Sequence, residues 1–140
     1  MGEVKAASAT YRFRVRYFET DQMQVAHHAH YLVWFEASRS EFCRKYGVDY
    51  SQMEKDGLFM PIIEAHCRYK SAAKYDDEVA IHVQVVERTK RTLKLKYEVT
   101  CEGKTLAEGE TIQMLIDSNG RPRTFPDEIA SRFDGKCDED

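Results

Sequence analysis

No stretch of this sequence approaches the roughly 18 consecutive apolar residues of a membrane-spanning helix, so no membrane span is expected. Nor does its beginning carry the basic-then-apolar layout of a secretory signal. An excess of basic residues is also missing. Lys and Arg number 21 against 24 Asp and Glu, a net charge of -3, whereas a nucleic-acid-binding module is normally basic. Cys43, Cys67, Cys101 and Cys137 form no C-x-x-C pair. In a chain without an export signal they read as reduced thiols, and a zinc site built from them is not expected. Internal repeats and low-complexity segments are absent as well. These absences leave a cytoplasmic protein of one domain, and its 140 residues suffice for a real core.

What is present centres on residues 20–46. A strand-like segment ends there, one acid follows, a short turn carries His27, His28 and His30, and a long apolar helix begins. Tyr31, Phe35, Ser38, Phe42 and Tyr46 keep helical spacing, and Leu32 and Trp34 widen the stripe. Arg39, Glu41, Arg44 and Lys45 are assigned to the rest of its surface, and Gly47 is a stop signal. The spacing predicts a helix over 29–46, with a short helical turn over 50–55 in the connector that follows.

Five strands are expected around that helix. Tyr11, Phe13, Val15 and Tyr17 alternate with Arg12, Arg14 and Arg16, whose simplest role is a solvated sheet face. Pro61 opens a second strand, in which Ile63, Ala65, Cys67 and Tyr69 alternate with polar residues. A third carries Val79, Ile81, Val83 and Val85, and a fourth Leu93, Leu95, Tyr97, Val99 and Cys101. Glu102, Gly103 and Lys104 make a tight hairpin turn into the last strand, 106–116. The late connections are too short for parallel crossovers, so these strands pair antiparallel. A helix of ~17 residues and a strand of 7 or 8 both span ~25 Å, so one curved sheet can wrap one central helix. Val86 and Leu115 are apolar where the alternation points away from the helix, which suggests a partner subunit. Residues 1–10 read as a flexible N-terminus, 11–126 as the domain and 127–140 as a charged, loose tail.

Asp21 follows a strand and precedes a helix start. The start of a helix offers backbone N–H groups without intrahelical partners and favours negative charge. Aimed at an acyl carbonyl, it is an oxyanion hole. A nearby carboxylate can activate water or attack directly. From spacing alone, however, Asp21 is as simply a cap or turn acid. His27 and His30 could share a helix face as metal ligands, but no H-E-x-x-H signature accompanies them, which leaves site lining or capping. Glu36 is either a site acid or an arginine partner.

The run R-V-R-Y-F-E-T-D-Q-M-Q-V-A-H-H-A-H-Y-L-V-W-F-E-A-S-R resembles the signature of hotdog-fold acyl-CoA thioesterases, nearest to the 4-hydroxybenzoyl-CoA thioesterase-like, YbgC-type group. Asp21, His28, Tyr31, Phe35, Glu36 and Arg39 carry the match. Pro61, Tyr69 and the run Tyr75, Asp76, Asp77, Glu78 add weaker pieces, and the resemblance extends over about 11–126. It implies an α+β hotdog fold, a five-stranded antiparallel sheet wrapped around the helix, with subunits paired as dimers or tetramers and the site at their interface. It implies Asp21 as general base or nucleophile, the His28 N–H as donor to the thioester carbonyl, and Tyr31 lining or supporting the pocket. No metal or organic cofactor is implied. Gln24 stands where relatives usually have glycine, so its side chain sits where the ligand approaches. Acyl-CoA carries phosphates, for which Lys70, Arg88, Lys90 and Arg91 are candidates, the last three in one turn. The expected activity is acyl-CoA thioester hydrolysis. The alternatives are a non-catalytic acyl-CoA-binding module, which Gln24 favours, a hotdog dehydratase, whose His and acid arrangement is not found, and a metal-dependent hydrolase.

Overall fold

The structure is a computed structural model that describes residues 7–134. Most of the segment 1–10 and the thiol of Cys137 lie outside the described residues. Strand β1 (Ser8–Arg14) leads through a 3-10 turn (Tyr17–Glu19) and a loop into helix α1 (His30–Lys45), followed by α2 (Tyr50–Lys55) and the short β2 (Leu58–Phe59). Then come β3 (Ile62–Tyr69), β4 (Glu78–Arg88), β5 (Thr92–Cys101), β6 (Lys104–Met114), the short β7 (Ile116–Asp117) and α3 (Asp127–Phe133). The main sheet has the order β1-β4-β5-β6-β3, antiparallel throughout, and β2 pairs separately with β7. One long helix lies against a five-stranded sheet, the arrangement that the hotdog resemblance implies.

The helix docks through its aromatic stripe. Phe35 stacks on Tyr97 of β5 with ring centroids 4.3 Å apart, and Trp34 packs on Phe13 of β1 at 4.9 Å. Gly109 of β6 makes room for this. A Cβ there would lie 2.5 Å from Phe35 Cε2 and 2.6 Å from the His66 carbonyl oxygen. Val79, Ile81, Val83, Leu93, Leu95 and Val99 complete the inner face, all buried. The hairpin between β5 and β6 turns on Glu102 and Gly103, both at positive φ, as a tight two-residue turn requires.

Several details differ from the sequence-based expectations. β1 ends at Arg14, and Tyr17 lies in the 3-10 turn, 75% exposed, because the Glu19 carboxylate captures the Arg16 N–H and curls the chain out of the sheet. Leu32 faces outward at 45% exposure. Arg39, assigned to the surface, is 8% exposed, and its Nη1 donates to the buried Tyr97 hydroxyl at 3.1 Å. Leu115 is buried rather than outward-facing, because the last strand breaks there into β6 and β7. Val86 is exposed, as the alternation indicated. Past Pro126 the chain forms α3 instead of running loose over 127–133. Phe133 is buried against Phe42 and Phe125 (6.2 and 5.7 Å), and Ile129 and Ala130 pack partly buried against the same core, so one apolar face anchors the helix.

Candidate active site

The loop between the 3-10 turn and α1 is a small hairpin. Thr20 and Ala26 form a β-bridge, the Asp21 N–H donates to the Val25 carbonyl at 3.0 Å, and the Gln24 N–H returns to the Asp21 carbonyl at 2.9 Å. Gln24 turns the tip at φ 65°, the left-handed conformation that glycine would adopt without cost. The segment ahead of β4 pins the hairpin. Val25 bridges Lys74, Ala26 N–H donates to Ala73 O at 2.7 Å, and Tyr75 N–H donates to Gln24 O at 3.4 Å.

Asp21 is exposed on this loop. Its Oδ1 accepts from the N–H of Met23 at 2.8 Å and of Val25 at 3.4 Å, the pattern of a turn acid. One oxygen thus fixes the turn, while the other, Oδ2, accepts no hydrogen bond among the described residues.

The hairpin's return limb enters α1. The His27 N–H donates to the Glu19 carbonyl at 2.8 Å and the Ala29 N–H to His27 Nδ1 at 3.2 Å. The N–H groups of His30 and Tyr31 close the first turn onto the carbonyls of His27 and His28. Between them the His28 N–H donates to no acceptor among the described residues. No side chain caps the helix, and no acid lies in its first turn, so the positive end of the peptide dipoles is left uncompensated there.

Two residues that sequence reasoning did not assign to the site hold this geometry. Tyr69 of β3 donates its hydroxyl to the His28 carbonyl at 2.9 Å. Desolvation, together with the neighbouring Cys67 thiol and Tyr31, pushes its pKa up to about 12, so it remains a donor at neutral pH. Glu19 is 1% exposed and receives three bonds of 2.8 Å: Arg16 N–H on Oε1, and Arg16 Nη2 and Trp34 Nε1 on Oε2. Desolvation pushes its carboxyl pKa up, but the hydrogen bonds from Arg16 and Trp34 outweigh that and hold it below the ordinary value. A signal for it existed: a buried indole N–H needs an acceptor, and Trp34 lies on the stripe assigned to the core.

Tyr31 is buried, with its ring against Trp34 and edge-on to Tyr69 (4.5 and 4.9 Å). Burial raises its hydroxyl pKa. His27 and His28 stack at 4.3 Å, and no three His, Cys, Asp or Glu side chains among the described residues are grouped as metal ligands. Glu36 is exposed on the rim of a cleft of about 170 Å³ shared with Arg39, Tyr50 and Gln113, beyond ion-pair distance of any arginine. Arg88 and Arg91 are not brought to Asp21. The hairpin is pinned beside the Glu78 end of β4, while Arg88 lies ten residues along that strand, about 30 Å away. Arg88 is also held by Asp134 through Nε and Nη2 at 2.7 and 2.9 Å. Lys70, at the end of β3, pairs with Glu108 at 3.2 Å.

Comparison with known proteins adds to this geometry. The sequence matches the thioesterase-like superfamily over residues 5–133. A protein of Aquifex aeolicus, provisionally named an esterase, is 34% identical over 119 residues, covering 85% of this chain and 92% of its own. The acyl-CoA thioester hydrolase YbgC of Escherichia coli O6:H1 is 25% identical over 122 residues, 86% of this chain and 91% of its own. Among solved structures, the DHNA-CoA thioesterase from Staphylococcus aureus superposes with a TM-score of 0.86 at 26% identity, covering 91% of this chain and 89% of its own.

Proposed function

The chain belongs to the thioesterase-like superfamily, and from that membership we propose that it is an acyl-CoA thioester hydrolase whose site is the Asp21 loop and the start of α1. One observation carries the proposal: on the two limbs of one pinned hairpin stand a carboxylate oxygen and a backbone N–H that have no hydrogen-bond partner among the described residues. In the reaction, Asp21 Oδ2 takes a proton from water as the water oxygen bonds to the thioester carbon. The carbonyl oxygen becomes negative and accepts the His28 N–H at the positive helix end. Collapse of the tetrahedral intermediate breaks the C–S bond and releases CoA thiolate, a good leaving group that needs no strong general acid. Neither step calls on a metal or an organic cofactor. Gln24, at the loop tip, faces the approaching substrate and sets which acyl groups fit. Contact of Arg88 or Arg91 with the phosphates of this site's CoA requires a partner subunit's copy.

Self-association is part of the same proposal. Leu32 and Val33 of α1 and Ile62, Ile63 and Tyr69 of the edge strand β3 expose apolar surface, and a second copy, as a dimer or a dimer of dimers, would cover it. No helix of the described residues is long and apolar enough to cross a membrane, and action on acyl-CoA fits the cytoplasm.

The test is thiol release from a panel of aliphatic and aromatic acyl-CoAs, repeated with Asp21→Asn. Hydrolysis of at least one panel member is expected, with kcat falling about 10²-fold or more in the variant. Water labelled with ¹⁸O in a single turnover separates the two roles of Asp21, since label enters its carboxylate only if it attacks as nucleophile. Binding of acyl-CoA without thiol release would instead establish the binding-module alternative.

A further inference from the structure

We infer that Glu19 is a positioning residue for this reaction, the buried group that ties the loop bearing the Asp21 carboxylate to the limb bearing the His28 N–H and to the helix. The inference rests on the proposed thioesterase chemistry for its consequence, but on geometry alone for its mechanism. Asp21 is two residues after Glu19. His28 is one residue after His27, whose N–H is bound by the Glu19 carbonyl at 2.8 Å. The Glu19 side chain meanwhile holds the chain entering the loop, through Arg16, and the first turns of α1, through Trp34. One buried residue thus ties together the loop's outgoing limb, its return limb and the helix. Neither member of the reacting pair can move without stretching a bond to Glu19 or bending the one or two residues between.

The chemistry of the clamp explains why an acid stands there. Three donors converge on one side chain: a backbone N–H, a guanidinium and an indole N–H. A carboxylate accepts from all three and neutralises Arg16, and its burial is tolerable only because it is so fully bonded. The amide of Gln has nearly the same shape but turns an NH₂ toward at least one of those donors. The clamp would then open by a fraction of an ångström to about 1 Å, and a misplacement of ~1 Å can cost ~10²-fold in rate.

The experiment compares wild type, Glu19→Gln, Trp34→Phe and the double variant. Trp34→Phe keeps an apolar ring in the core but removes the indole donor, so it tests the clamp even if Glu19→Gln folds poorly. Expected is a kcat per folded molecule at least about tenfold lower in Glu19→Gln with KM within about threefold, a smaller fall in Trp34→Phe, and a double variant no slower than Glu19→Gln, as for residues acting through one linkage. The second readout needs no turnover: the backbone amide resonances of Met23 and His28, one from each limb, shift in both single variants. A lowered melting temperature with kcat per folded molecule at the wild-type value would overturn the inference, and so would unmoved Met23 and His28 resonances. Should wild type hydrolyse no acyl-CoA, the thioesterase reading fails, and the amide shifts alone then decide whether Glu19 holds the two limbs.

Discussion

At Gln24 the backbone adopts φ 65° without glycine, a conformation that costs a residue with a Cβ roughly 1 kcal/mol. Gln24→Gly should therefore raise stability by about 0.5–1 kcal/mol, read as a higher urea midpoint with unchanged slope. Gln24→Ala should give no such gain, because alanine keeps the Cβ. The same variant tests the expected contact with substrate: an unchanged KM would remove the Gln24 side chain from it. Glu19 makes a prediction of the opposite kind. Its pKa is lower folded than unfolded, so the stability it contributes is fully present above the unfolded value of about 4.3 and is lost as pH falls through the lower folded value. Acid unfolding followed by circular dichroism should show Glu19→Gln less stable than wild type at neutral pH, with the gap narrowing below about pH 4.3.

Among the elements, the contact between α1 and the sheet depends on an absent side chain. Phe35 reaches Tyr97 only because Gly109 presents no Cβ, and one obstacle to a Cβ is the His66 carbonyl, which is backbone and cannot swing aside. Gly109→Ala should cost about 1–3 kcal/mol by overpacking. Adding Phe35→Leu should recover only part of that, since the backbone clash remains; full recovery in thermal melts would show that the ring alone set the limit. This contact also shows what could be read from sequence. Alternation and helical spacing gave the five sheet strands, α1 to within a residue at either end and the turn over 50–55, because burying one face imposes a period on the chain. Periodicity carries no information on which charged residue finds a buried partner, so it marks neither Arg39 nor Glu19 as buried. It also could not show that Phe133, with Ile129 and Ala130, is enough to dock α3. At the site, the turn chemistry placed Asp21 and His28 on one loop, but the clamp beneath them joins residues 15 apart and is visible only in three dimensions.

For the molecule as a whole, the question is what covers its unpaired side. β3 is an edge strand of the sheet, with one row of backbone N–H and C=O groups unused by β6. Beside it α1 turns Leu32 and Val33 outward, Val33 at 54% exposure, and β3 adds Ile62, Ile63 and Tyr69. A monomer would leave a free edge and an apolar stripe together, the combination that soluble proteins normally cover. Tyr69 connects this surface to the chemistry, because the side chain on the open edge is also the one that bonds the His28 carbonyl. Val33→Lys changes only an outward-facing helix residue, and lysine is at least as good a helix former as valine, so the fold should persist. Sedimentation equilibrium should then show wild type as a dimer or tetramer and the variant as a monomer. On the proposed self-association the partner would buttress Tyr69, and the monomer should then also lose about tenfold or more in kcat/KM. Monomers that retain full activity would confine the site to a single chain, whereas a Val33→Lys protein that still assembles would place the interface on another face.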